Sequence, residues 1–199
     1  LGLTPLTGTA IFPRFYHAFR EAYPGVRIVT MEHSHDQARL MLEDGSMDAS
    51  FTTHTEGLSE NVGTMELTQT QLVFCVSANH PLADRTRVSI HDIADEPLVY
   101  MEKGMQRERE IVRRYRQIGR TPNVVLRMVQ INALRNVVSE GIAAGIQLQG
   151  SIDDGQCVIG IPFSPPLNFQ IRLIWNRQAE DRESIQAMLA FAERWRATH

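Results

Sequence analysis

The stretch Cys75-Val76-Ser77-Ala78-Asn79-His80-Pro81-Leu82-Ala83-Asp84 decides how this chain is read. It follows an apolar run, Gln71-Leu72-Val73-Phe74, and breaks that run with a polar patch and a His-Pro bond. Proline has no N–H to give to a ladder and pushes the preceding residue out of the α region. His80 is therefore expected in extended chain at a strand exit. That accounts for the stop locally. Why the phrase stands at this point depends on what lies on either side.

Upstream, Leu1 to Thr4 is short and apolar, and Pro5 to Thr9 reads as hydroxyl-rich turn chemistry. Ile11, Phe12, Phe15, Phe19 and Ala22 then recur at three- and four-residue steps, the apolar face of a helix that Tyr23-Pro24-Gly25 ends. Val26 to Met31 is β-branched and predicts a strand, Ser34 an N-cap for a helix through Leu42, and Met47 to Thr53 the next strand. The first fifty residues thus read strand–helix–strand–helix–strand, the pattern of a parallel sheet with helices on its faces.

Downstream, residues 62–76 read as extended chain feeding a long strand, and Val88 to Ala94 as a short helical turn. Glu96 to Met101 predicts a strand, Glu108 to Ile118 a charged helix, Asn123 to Val129 a strand and Asn132 to Gly141 a helix. Gly145 to Leu148 and Asn168 to Trp175 predict further strands, and Glu183 to Arg196 a final helix. A second set of α/β units follows the first, and the tail adds a strand and a helix.

Composition sets the outer bounds. The chain has 199 residues, 43% of them hydrophobic, enough for a real core in one domain or two small lobes. Lys and Arg total 20 against 23 Asp and Glu, a net charge of -3, which argues against this segment gripping nucleic acid by itself. The basic residues between Arg107 and Arg120 are spaced as a solvated helix face. Cys75 and Cys157 fall in apolar, strand-like segments and are expected as two buried thiols, in keeping with a reducing cytoplasm. No apolar run reaches the roughly 18–20 residues of a spanning helix, so no membrane partner is expected. The first residue is Leu, which suggests a piece of a longer protein.

Several phrases now line up around the opening one: Phe19-Arg20-Glu21-Ala22-Tyr23-Pro24-Gly25-Val26; Leu42-Glu43-Asp44-Gly45-Ser46-Met47-Asp48-Ala49; Leu72 to Val76 leading into His80-Pro81-Leu82-Ala83; Asp92-Ile93-Ala94-Asp95-Glu96-Pro97-Leu98-Val99; and Leu173-Ile174-Trp175. In this order and over essentially the whole chain, they resemble the effector-binding domain of LysR-type transcriptional regulators. The resemblance implies an α/β, type II periplasmic-binding-protein-like fold of two Rossmann-like lobes joined by two crossover strands. Residues 1–72 with 170–199 would form lobe I and 73–169 lobe II, with His-Pro-Leu-Ala marking entry into lobe II. It also implies a small-molecule effector held between the lobes, a homo-oligomer (dimer or tetramer), and a cytoplasmic, bacterial protein. DNA would be contacted only through an N-terminal winged helix-turn-helix that is not in this sequence. One segment departs from the family's Val-x-x-Gly-Leu-Gly-Ile-x-Leu-Leu-Pro run. Residues Val138 to Gln149 replace the second glycine and the terminal proline and bring in Gln147 and Gln149.

Candidate ligand-binding residues follow from where polar side chains meet the carboxyl ends of predicted strands and the starts of helices, where free N–H groups favour anions. In the first lobe these are Thr4 and Thr7, which could equally cap a helix; His33 and Ser34, with Ser34 also a cap and His33 a carboxylate donor or a plain exposed histidine; and Thr52, Thr53 and His54. In the second they are Gln130, Asn132 and Gln147, amides that a ligand or water must satisfy if buried. Glu102 and Lys103 read as a solvated loop. His33-Ser34-His35 and His54-Thr55-Glu56 could converge on a metal, but no cysteine pair supports that, so neither metal nor cofactor is expected. There is no Gly-x-Ser-x-Gly elbow or glycine-rich phosphate loop, and no catalytic residue is assigned. A solute-binding protein on the same fold is the alternative, and a small lyase or dehydratase a more distant one.

Overall fold

The computed structural model describes residues 1–101 and 106–198, so Glu102 and Lys103 lie outside the described residues. The chain divides into two compact units: residues 1–70 with 169–199, and residues 71–168.

The first unit is built on β1 (Gly2–Leu3), α1 (Pro5–Ala10), α2 (Phe12–Ala22), β2 (Met31–Glu32), α3 (His35–Glu43) and β3 (Ala49–Thr52). The front half of β4 (Val62–Ser77), then β9 (Asn168–Asn176) and α6 (Glu183–Arg196) complete it. Its strands run in the order β2–β1–β3–β9–β4. β1 pairs in parallel with β2 and β3, while β9 lies antiparallel on β3, with Phe51 opposite Leu173. The core is aromatic. Phe15 and Phe19, four residues apart on α2, meet Phe51 from the sheet and Phe191 and Trp195 from α6. Ring centroids stand 5.0 Å apart for both Phe15–Phe51 and Phe15–Phe191, edge to face as their quadrupoles prefer.

Three expectations here need correction. Residues Pro5 to Thr9 are not a turn but the body of α1, because Thr4 caps it and Pro5 sits at the first helical position, where its missing N–H costs nothing. Of the strand expected over Val26 to Met31, only Met31 and Glu32 join the sheet. β1 offers a partner just two residues long before α1 begins, so the chain ahead has no ladder to enter. Val29 is left 67% exposed. The helix expected from Ile11 starts at Phe12, with Ile11 the single residue between it and the end of α1. α3 and its stop stand where the sequence placed them, with Gly45 at φ 78°, a left-handed position that suits a residue without Cβ.

The second unit takes the back half of β4 and adds β5 (Pro97–Met101), α4 (Gln106–Gln117), β6 (Asn123–Met128), α5 (Ile131–Ser139), β7 (Ala144–Leu148) and β8 (Val158–Pro162). β5 is parallel to β6 and β7, and β4 takes β7 on one side and β8 on the other, both antiparallel. The core on the α5 face is aliphatic and sulfur-bearing: Val73, Cys75, Val99, Met101, Leu134 and Val138. β4 ends at Ser77, three residues before His80. The exit is a turn closed by the His80 N–H on the Ser77 carbonyl at 3.0 Å. His80 then accepts from the Leu82 N–H at Nδ1 and places Nε2 3.3 Å from Glu96. Its role is to tie the start of this unit together.

Residues Val88 to Ala94 form turns, held by Asp92 accepting from the Ser89 N–H and hydroxyl at 2.7 and 2.6 Å. Cys75 is buried as expected, but Cys157 is exposed, one residue before β8. In the Arg107–Arg120 segment, Arg113 and Arg114 pair with Glu110, Arg114 also donates to the Pro165 and Pro166 carbonyls, and Arg120 faces Asp95. No helix among the described residues is long and apolar enough to cross a membrane.

Candidate functional site

In each unit the parallel strands end on one edge, and the helices that follow them begin there. Polar side chains were expected at those edges, and that is where they fall.

In the first unit most of them satisfy one another. Thr4 and Thr7 form a reciprocal cap on α1. The Thr4 hydroxyl accepts from the Thr7 N–H at 3.3 Å, and the Thr4 N–H donates to the Thr7 hydroxyl at 3.1 Å. Thr7 is fully buried and its hydroxyl also reaches the Phe51 carbonyl at 3.3 Å, so it locks α1 to the end of β3. Ser34 caps α3 in the same reciprocal manner with Gln37.

His33 is neither exposed nor free to meet a carboxylate. It is 8% exposed, with Nδ1 2.9 Å from the Ser34 carbonyl and Nε2 3.3 Å from the Ser50 hydroxyl. A carbonyl can only accept, so Nδ1 carries the proton and the neutral ring turns a lone pair to Ser50. Burial, the largest influence, holds its pKa below the ordinary histidine value, against the pull of the Ser34 carbonyl. A Cβ on Gly2 would run into this ring, which is why the strand beside it is glycine.

Thr52, Thr53 and His54 follow the end of β3. The Thr52 hydroxyl accepts from the His54 N–H and donates to the His54 carbonyl, each at 3.0 Å, folding the chain back on itself. It also lies 3.2 Å from His35 Nδ1. The His35 and His54 rings stand edge to face with centroids 4.2 Å apart, and His54 Nε2 is 3.6 Å from Glu56. His35 Nε2 is buried without a hydrogen-bond partner. Burial first, and the positive charge available to His54 second, lower the His35 pKa, with the Glu56 backbone acting the other way. The sequence marks His35 only as a member of the His33-Ser34-His35 metal set. Its place one residue after an N-cap serine was the signal that would have put it at the strand-end edge. Among the described residues, no group of three or more His, Cys, Asp or Glu side chains is placed to hold a metal ion.

The second unit is less self-contained. Gln130 is the N-cap residue of α5 but makes no side-chain capping bond, and both it and Asn132 are exposed. Gln147, opposite Val73 in the β4–β7 ladder, is 1% exposed, and its Oε1 has no hydrogen-bond partner. Burying an amide oxygen unpaired costs about 1–3 kcal/mol, a cost that fold stability alone gives no reason to carry.

Two α/β units, with the chain passing from the first to the second inside β4 and returning at β9, and polar groups gathered at strand ends in both, define a class of ligand-binding domain. The comparisons narrow it. The family model described as LysR substrate binding domain matches residues 1–197, and the chain belongs to that family. The fold is the type II periplasmic-binding-protein-like fold of LysR effector domains. The HTH-type transcriptional regulator TtuA of Agrobacterium vitis is 25% identical over 167 residues, covering 83% of this chain and 54% of that regulator. The chain thus spans little more than half the length of such curated relatives. The effector binding domain of QuiR, solved with shikimate, superposes with TM-score 0.84 at 18% identity, covering 100% of this chain and 96% of QuiR's. The CcmR regulatory domain of Synechocystis PCC6803, solved with 2-PG, gives 0.85 at 15% identity, covering 99% and 96%.

Proposed function

We propose that this chain is the effector-sensing part of a LysR-type transcriptional regulator. It binds a small polar molecule, most naturally an anion, at the strand-end groups described above. Binding stabilises one conformation of the domain over another, and an oligomer of such domains passes the change to DNA-binding segments elsewhere in the full protein. In this reading the domain turns nothing over, works in the cytoplasm and needs no cofactor.

The observation that carries the proposal is the pair of buried polar atoms without a hydrogen-bond partner at these edges, His35 Nε2 and Gln147 Oε1, with Tyr100 Oη near the end of β5 a third. Relatives that are transcriptional regulators support the wider setting.

The test is thermal stability against a panel of carboxylates, amino acids, phosphorylated acids and sugars. A ligand at a hundredfold excess over its Kd stabilises the fold by about 2.7 kcal/mol. A stabilising class whose effect is lost in Thr53→Ala or His35→Gln is the expected result. No shift with any class, or turnover of the ligand, would sink the proposal.

A further inference from the structure

We propose that Gln147 selects the effector, its amide taking the hydroxyl of a small hydroxylated carboxylate whose charged end is held by the N–H groups at the start of α5. This rests on the effector-binding reading above and names the chemistry of the ligand.

The geometry comes from the strand ladder. Side chains alternate along β7, so Gln147 shares a face with Gly145. A Cβ on Gly145 would meet Leu134 and Val138 of α5, each at 3.3 Å, so that face is the one α5 covers. Val73, opposite Gln147, belongs to the same apolar cluster as Leu134 and Val138. In the β6–α5–β7 crossover the helix runs against the strands, which places its N-terminus toward the carboxyl end of β7. Gln147 lies about 6.7 Å beyond Gly145 along the strand. At about 1.5 Å of rise per helical residue, that is some four to five positions back from the Leu134–Val138 midpoint. The amide is therefore level with Ile131 and Asn132, at the helix start.

Two independent features meet there. The first N–H groups of α5 have no partner within the helix, and Gln130 does not cap them, so they suit a carboxylate. Beside them is an amide that is 1% exposed with an unpaired oxygen. A hydroxyl both donates and accepts, so it pairs with either end of that amide. An acid lacking the hydroxyl would satisfy the helix and leave the amide as it is. Sites built around a buried polar group discriminate strongly against analogues that lack its partner.

The test is calorimetric titration of the chain and of Gln147→Leu with shikimate and lactate, and with their deoxy counterparts cyclohex-1-ene-1-carboxylate and propionate. We expect at least one hydroxy acid to bind the unaltered chain about tenfold or more tightly than its counterpart. In Gln147→Leu that preference should vanish while the deoxy acid binds as before. Gln147→Met repeats the experiment with an unbranched side chain should the leucine variant fold poorly. A preference that survives both substitutions overturns the proposal. So does failure of both hydroxy acids to bind, and so do equal affinities for hydroxy and deoxy acids, which would leave Gln147 to an ordered water. If the wider panel finds a ligand whose affinity Gln147→Leu does not change, the sensor reading stands and this inference falls. If no class in that panel binds, the sensor reading itself fails.

Discussion

The two units solve the same architectural problem with different materials. In the first, the core is a cluster of aromatic rings, and the polar groups at the strand ends are mostly spent on one another: Thr4 with Thr7, Ser34 with Gln37, His33 with Ser50, Thr52 with His54. His35 Nε2 is the exception. In the second, the core beneath α5 is aliphatic, the helix above it starts uncapped, and a buried amide is left unpaired. A polar residue at a strand end is thus ambiguous by type. Whether it closes a local network or stays open to a ligand depends on whether a neighbour has already taken its bonds.

The largest expected effect tests the aromatic side of the contrast. Phe15 is fully buried against Phe51, Phe191 and Trp195, and Phe15→Ala should cost about 3–5 kcal/mol in urea denaturation. A loss near 1 kcal/mol would mean that the rings are not what holds the first unit.

Next comes pH. His33 and His35 have native pKa values below the ordinary 6.5, so the unfolded chain binds more protons than the folded one between those values. Their contribution is intact above about pH 6.5 and is lost as pH falls toward the depressed native values. His33→Gln and His35→Gln should each flatten that decline, and a wild-type stability that stays level from pH 7.5 to 5 would contradict the buried, neutral assignment. Asp44, Asp92 and Glu110 have lowered pKa values, each chiefly through side-chain hydrogen bonds: Asp44 from Ser46, Asp92 from Ser89 and Glu110 from Arg113. Their contributions are present above the ordinary carboxylate range and disappear only as pH falls below it.

Thr7→Val keeps the shape but removes the hydroxyl from the α1 cap and from the Phe51 carbonyl, and should cost about 1–2 kcal/mol. The same kind of change in the second unit should have the opposite sign. Gln147→Leu removes an unpaired buried amide and should raise the stability of the ligand-free chain by about 1 kcal/mol. If it instead destabilises by as much as Thr7→Val, the amide has a partner inside the protein and the contrast between the units is lost. The smallest effect is expected from Gln130→Asp, which supplies the missing cap on α5. It should add about 0.5–1 kcal/mol while weakening any carboxylate held there. Unchanged anion binding would show that the helix start is not used.

Much of this molecule was legible in its sequence because the signals were local. The three- and four-residue spacing of Phe15 and Phe19, the serine ahead of α3 and the Asp44-Gly45 stop each report on a few neighbouring residues. They stand in the structure where they were read. The misreadings share a cause. Val26 to Met31 has β propensity but lacks a partner strand long enough to pair with, and pairing is not a local property. Cys157 sits beside a strand yet outside it, and its exposure depends on where β8 joins β4.

The candidate site divides along the same line. Residue type and position at strand ends brought Thr4, Thr7, His33, Ser34, Thr52, Thr53, His54, Gln130, Asn132 and Gln147 to attention from the sequence alone. The resemblance read from ordered phrases such as His80-Pro81-Leu82-Ala83 pointed to the family in which the chain belongs. Only the tertiary structure decided which of those groups already have partners. It turned His33 from a possible ligand donor into a buried tie between Ser34 and Ser50, and it brought His35 beside His54 across 19 residues of chain. It also buried Gln147 on the face that α5 covers, with its amide oxygen unpartnered. A sequence specifies which hydrogen bonds a side chain can make. Which of them are made depends on distances of about 3 Å between residues far apart in the chain, and those distances exist only once the strands have paired.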